Sequence, residues 1–204
     1  MAKRLAFDGI FKTEFRWPTK GDTPFVVALD GLDNAIIFED ERTRLAVMTS
    51  GYKKSADLAV IRATDYRADR DFLVYPILFN YRQFLELSLK YHLASYGYAV
   101  GIDPNWTSHD LGVLWDIFEE MLDRYGVDDP DKVNPTVKRV VAEFAKIDPD
   151  SYSYRYPVDR KGKPVPVVFG VMDLQSLADV INAVAGYFTG CDGYLDSLRS
   201  SGPG

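Results

Sequence analysis

The chain has 204 residues, 47% of them hydrophobic and 26% charged, with a formal net charge of −6. That length suits one core with an appendage, and the apolar content is too high for a disordered chain. The negative balance opposes a general electrostatic hold on nucleic acid, which rests on clustered Lys and Arg, so any such contact is expected to be local.

Residues 1–30 scatter Phe7, Phe11, Phe15, Trp17 and Phe25 among Gly9, Pro18, Gly21 and Pro24, a pattern of strands and turns rather than of a long helix. Asp30 to Met48 has no clean period and reads as a short helix plus loop. Thr49 or Ser50 can cap a helix through Thr64, in which Tyr52, Ala56, Ala59, Val60 and Ala63 recur at three and four. A charged link, Arg67 to Asp71, leads to "YPILFNYRQFLELSLKYHL", Tyr75 to Leu93, apolar almost all the way round, with Pro76 in its first turn or two. On this central helix Arg82, Glu86 and Lys90 recur at steps of four and form a narrow charged file.

"SHDLGVLWDIFEEMLDRYG" is a helix with Ser108 at its N-cap, His109 and Asp110 in the first turn, and Gly126 past its end. Leu111, Leu114, Trp115, Phe118, Met121, Leu122 and Tyr125 mark its inner face. Asn134 caps a further helix to Ile147, with Pro135 at the first helical position. "YSYRYPVDRKGKPVPVVFG" reads as a small hairpin or extended loop. Asp173 caps a last helix that Gly190 or Gly193 weakens, and "RSSGPG" is a frayed tail. The sum is an all-α antiparallel bundle of about five helices over 50–198, with a hairpin insertion, an N-terminal extension over 1–49 and a disordered tail over 199–204.

Single Cys191 excludes an internal disulfide and a Cys-based zinc site, which fits a reducing cytoplasm. After Lys3 and Arg4 the apolar stretch Leu5 to Phe7 stops at Asp8, so no export signal is expected. No uncharged apolar run of about 18 residues implies a membrane span. Phosphate loops, the G-x-S-x-G elbow and His-x-x-x-His spacing are missing, so no cofactor and no metal are expected.

What remains is polar groups in apolar company. Arg82, Glu86 and Lys90 can pair along the helix at i, i+4, which is reason enough for the file, and could equally be a buried network that specifies packing. At a helix start His109 is held neutral by the dipole and able to accept a proton, or it merely tethers the preceding loop. His92 reads as a core or interface histidine. Arg155, between Tyr154 and Tyr156, can stack, pair with a carboxylate such as Glu86, or grip a phosphate.

The order of "YRQFLELSLKYHL", "SHDLGVLW", "FAKIDPDSYSYRYPVD" and "DLQSLADVINAVAGYF" resembles the HEPN superfamily of bacterial and archaeal helical domains over roughly residues 50–195. The resemblance implies a four- or five-helix bundle, commonly dimeric, found among toxins, phage-defence proteins and partners of nucleotidyltransferases. Many members are metal-independent ribonucleases with an Arg, four to six residues, His motif. Here the positions after Arg155 hold Arg160, Lys161 and Gly162, and Arg82 lies too far from His92.

The resemblance therefore implies a catalytically degenerate module. Its inter-helix pocket, formed by Arg82, Glu86, Lys90, His109, Asp110, Arg155 and Tyr156, would bind a nucleotide, RNA or protein partner, the last from a neighbouring gene. A divergent ribonuclease with His109 as base and Arg82 and Arg155 as cations is the alternative, and a purely structural dimerisation domain the second. A homodimer is expected from the resemblance and from the 14% aromatic content.

Overall fold

The computed structural model describes residues 16–148, 154–159, 161–166 and 168–200. Within them the chain divides into two compact units, with the boundary between Ile37 and Phe38. Of the expected N-terminal extension, residues 1–15 lie outside the described part. The remainder holds turns and, from Glu41 on, the start of a helix, and no strand forms among its described residues.

In this first unit short polar side chains stand in for backbone pairing. Asp22 accepts from Thr19 N at 2.8 Å and pairs with Arg16. Asp30 caps a single 3-10 turn, Gly31–Asp33, by accepting from Leu32 N at 2.9 Å. The Asn34 carboxamide accepts from Ala28 N at 2.8 Å and donates to the Ala28 carbonyl at 3.2 Å.

The second unit is all-α, with five helices among its described residues: α1 (Glu41–Asp65), α2 (Arg70–Tyr96), α3 (Leu111–Arg124), α4 (Val133–Ile147) and α5 (Leu174–Ser200). α1 begins at Glu41, not at Thr49 or Ser50, because the Asp40 carboxylate accepts from Thr43 N at 2.7 Å and caps it there. Thr49, expected as a cap, sits inside the helix and turns its hydroxyl back to the Leu45 carbonyl at 2.7 Å. Only Ala56, Val60 and Ala63 of α1 are fully buried, so its first turns lack the periodicity that would have marked them.

α1 returns antiparallel along α2 after a four-residue link, with Arg70 Nε donating to the Ala63 carbonyl at the turn and Tyr81 donating to Asp57 further along. α2 starts at Arg70, which places Pro76 at the end of its second turn. It is central as expected: Leu85, Leu89 and Leu93 are wholly inaccessible, and Phe84 meets Phe188 of α5 edge to face. His92 is a core histidine. Its Nδ1 lies 2.8 Å from the Ser88 carbonyl and its Nε2 3.0 Å from the Phe188 carbonyl, tying α2 to α5.

Every apolar residue expected on the inner face of α3 up to Leu122 is buried. Its N-cap is Asp110 rather than Ser108, since the Asp110 carboxylate reaches Gly112 N at 2.8 Å and Val113 N at 3.2 Å while Ser108 only accepts from Asp110 N. α4 is not capped by Asn134 either. Lys132 adopts a left-handed conformation at φ 53°, and the Asp129 side chain accepts from Val133 N and Asn134 N, freeing Asn134 to accept from Tyr187 of α5.

Of the expected hairpin or loop, residues 152, 153, 160 and 167 lie outside the described part; among the described residues it is a single antiparallel bridge, Val158 to Pro164, with the Asp159 carboxylate accepting from Lys161 N and Lys163 N and Gly162 at φ 75°. α5 continues unbroken through Gly190 and Gly193. Leu195 is fully buried, and Tyr96 donates to Asp192, so packing overrides the glycines' entropy and carries the helix into the first residues expected to fray. Residues 201–204 lie outside the described part. No described helix is long and apolar enough to cross a membrane.

Candidate functional site

α2 ends in a tight reversal that brings the 102–110 loop back over its charged file. Ile102 N donates to the Gly97 carbonyl, and a Cβ on Gly97 would lie 2.5 Å from the Ile102 carbonyl, so only glycine fits there. Gly101 turns at φ 71°. The loop then lays the Trp106 and His109 backbone against Lys90 and Arg82.

Arg82 has no solvent exposure, and each of its three nitrogens is engaged. Nη1 donates to Glu86 Oε2 at 2.9 Å, Nη2 to the His109 carbonyl at 2.7 Å, and Nε to the Asp148 carbonyl at 3.0 Å. The Asp148 carboxylate, at the C-terminal end of α4 and wholly buried, stands 3.5 Å from Nε. Lys90 donates to Glu86 Oε1 at 2.9 Å and to the Trp106 carbonyl at 3.3 Å. The file is thus a buried network of two cations and two carboxylates that pins the 102–110 loop and the end of α4 to α2. Burial pushes the Glu86 carboxyl up, but the bonds from Lys90, Arg82 and His109 outweigh it and leave its pKa below the ordinary value.

His109 completes the network from outside. Its Nδ1 is 2.9 Å from Glu86 Oε1, while its side chain is 61% exposed. An ionised carboxylate only accepts, so Nδ1 carries the proton and Nε2 is left as the acceptor on a ring largely in solvent. His109 precedes α3 rather than lying in its first turn, and its orientation comes from Glu86.

Arg155 is exposed, with its guanidinium carbon 5.7 Å from the Phe79 ring centre and 6.0 Å from that of Tyr156. Phe79 shares one face of α2 with Arg82 and Glu86, two turns or on the order of 10 Å from Glu86 along the axis. Tyr154 beside it is half-buried, and burial together with the Asp148 charge pushes its phenol up to about 12.

Of the residues expected to line a pocket, Arg82, Glu86, Lys90 and His109 come together, and Asp110 follows directly as the cap of α3. Arg82, Glu86 and Lys90 lie beneath the surface, so a ligand reaches only His109, Asp110, Arg155 and Tyr156, the last 49% exposed. Two participants escaped the sequence reading. Asp148 gave no periodic signal, standing just past its helix. Trp106, 53% exposed in the loop beside His109, could have been noticed as an aromatic between Asn105 and Thr107 with no helix to bury it. Among the described residues no group of His, Cys, Asp and Glu could hold a metal ion.

No family model, curated protein or solved structure matches this chain.

Proposed function

We propose that the chain is a helical binding module, HEPN-like in its motif order, that holds the phosphate and base of a nucleotide or single-stranded RNA on the outer side of the charged file. The observation that carries the reading is the split within the file. Arg82 and Lys90 are buried and neutralised by Glu86 and Asp148, whereas His109 is fixed by Glu86 and stands in solvent.

A buried, satisfied ion network positions groups rather than touching ligand. Arg155 supplies donors for phosphate, His109 offers Nε2 as an acceptor for a ligand hydroxyl or base N–H, and the partly exposed rings of Trp106 and Tyr156 supply aromatic surface on which bases stack regardless of sequence. A local contact of this kind agrees with a net charge of −6, which opposes extended backbone tracking. The test is anisotropy of a labelled single-stranded RNA 12-mer at low salt. His109→Ala and Arg155→Ala should each weaken binding about tenfold or more, and equal affinity of both variants and the wild type rejects the reading.

One observation favours a second reading, a divergent metal-independent ribonuclease. A histidine held through Nδ1 by a carboxylate, with Nε2 free of the proton, has the form of a general base for a 2′-hydroxyl. Cleavage of mixed RNA in EDTA that vanishes in His109→Ala would establish it, and intact RNA with the wild-type protein would dismiss it.

A further inference from the structure

α2 carries a second polar feature on the side away from its charged file. Phe84 and Ser88 each stand two residues from Glu86, about 200° around the helix. They floor a cleft of about 540 Å³ between α1, α2 and α5, and small-molecule sites commonly measure about 300–1,000 Å³. Every residue that lines it belongs to the helical unit. The space exists because Ala46, Thr49 and Ser50 of α1 and Ala185 of α5 are too small to fill the gap over Phe84 and Phe188, and α1 buries no residue fully before Ala56. Ser50 and Thr189 on its lip are exposed, so the cleft opens to solvent.

The polar groups of the cleft decide what it can hold. Lys53 donates to Asp57 at 2.7 Å and to Asn182 at 2.5 Å, and Asp57 also accepts from Tyr81. Asp192 accepts from Tyr96 at 2.6 Å. Lys54 has no ion-pair or hydrogen-bond partner among the described residues. The Ser88 hydroxyl has none there either, although Ser88 is only 3% exposed. A polar group so deeply buried ordinarily has a partner, and a ligand in the cleft would supply one. Asp192 does not cancel Lys54. Lys54 lies on α1 between Tyr52, which meets Phe79, and Asp57, which meets Tyr81, whereas Asp192 meets Tyr96 some four turns further along α2, roughly 20 Å away. A compact zwitterion cannot reach both. The spare donors, one ammonium and one hydroxyl over an apolar floor, suit a single anionic group on an apolar body. From Lys54 to Ala46 is roughly 12 Å along α1, the length of an acyl chain of about ten carbons.

We infer that the cleft between α1, α2 and α5 binds an apolar monocarboxylate of the medium-chain fatty-acid type. The carboxylate pairs with Lys54 and accepts from the Ser88 hydroxyl, and the chain runs past Phe84 and Phe188 towards Ala46. One spare cation suits one negative charge, and Asp192 repels a second at the far end. This binding is independent of the patch around His109, which lies on the other side of α2.

The experiment is calorimetric titration of the full chain with decanoate, with decanol as the neutral counterpart and decyltrimethylammonium as the cationic one. Decanoate should bind once per chain, at least about fivefold more tightly than either counterpart. Octanoate, two methylenes shorter, should bind about four- to fifteenfold more weakly than decanoate. Lys54→Met keeps the apolar stem, so it should weaken decanoate about fivefold or more and leave decanol unchanged. Ala46→Phe fills the cleft and should abolish binding of both, with helical circular dichroism matching the wild type. His92 lines the cleft, so decanoate should move its ring signals in nuclear magnetic resonance spectra and leave those of His109 in place. No binding, decanoate held no more tightly than decanol, a Lys54→Met protein equal to wild type, or a shift confined to His109 would each overturn the inference.

Discussion

Glu86→Gln isolates the energetics of the charged file. The Glu86 side chain is 3% exposed and accepts 2.9 Å bonds from Arg82, Lys90 and His109. Glutamine preserves its size but removes the charge, leaving Arg82 and Lys90 buried with only Asp148 to balance them. Breaking a buried pair from one side costs about 3–5 kcal/mol. For a chain of this size each kcal/mol is about 2–4 °C, so Tm should fall by about 6–20 °C. The loss also carries a pH signature. Glu86 titrates below its ordinary value, so its contribution is complete above the pH where the unfolded carboxyl titrates, about 4.3, and fades as pH falls through the lower folded value. Urea unfolding followed by circular dichroism should therefore show the wild-type and Glu86→Gln curves far apart at pH 7 and drawing together towards pH 3. Replacing the whole network, Arg82→Met with Glu86→Leu, Lys90→Met and Asp148→Asn, should restore most of the loss. A Glu86→Gln protein within about 1 kcal/mol of wild type at pH 7 would refute the reasoning.

Burial holds the His92 imidazole below its ordinary range, against the Ser88 and Phe188 carbonyls and Asp192. Its neutral form is the folded one, so its contribution is full above about pH 6.5, the unfolded value, and is lost as pH falls through the folded pKa. His92→Leu should flatten the stability curve between about pH 6.5 and 5 in urea titrations. Asp110→Ala removes the cap of α3 and should cost about 1 kcal/mol, read as a Tm lower by about 2–4 °C. Trp106→Ala should leave Tm within about 2 °C of wild type. The same variant should weaken RNA binding about 5- to 150-fold, the equivalent of one stacked base at about 1–3 kcal/mol.

The helices that face one way were legible. α3 shows its period because Leu111, Leu114, Trp115, Phe118 and Met121 all point into one core. The charged file was legible as a spacing on α2, and the structure supplies its reason. What it holds, however, are largely backbone carbonyls of Trp106, His109 and Asp148, and a carbonyl leaves no mark in a sequence. The first turns of α1 were hidden because they bury no residue fully, and a single carboxylate, Asp40, sets the boundary. Asp129 caps α4 from three residues before Lys132, a distance no local cap pattern anticipates. In α5 the local cost of Gly190 and Gly193 was visible, but the compensating burial of Leu195 came from tertiary contacts.

The central claim is that the file divides into buried residues that position and an exposed histidine that binds. His92 and His109 are the chain's two histidines, one in the core and one on the surface patch, so their ring signals report the two regions separately. Nuclear magnetic resonance of both imidazoles during titration with a single-stranded RNA 12-mer should move the His109 ring signals in a saturable way and leave those of His92 in place. Unmoved His109 signals, or a shift confined to His92, would contradict the account.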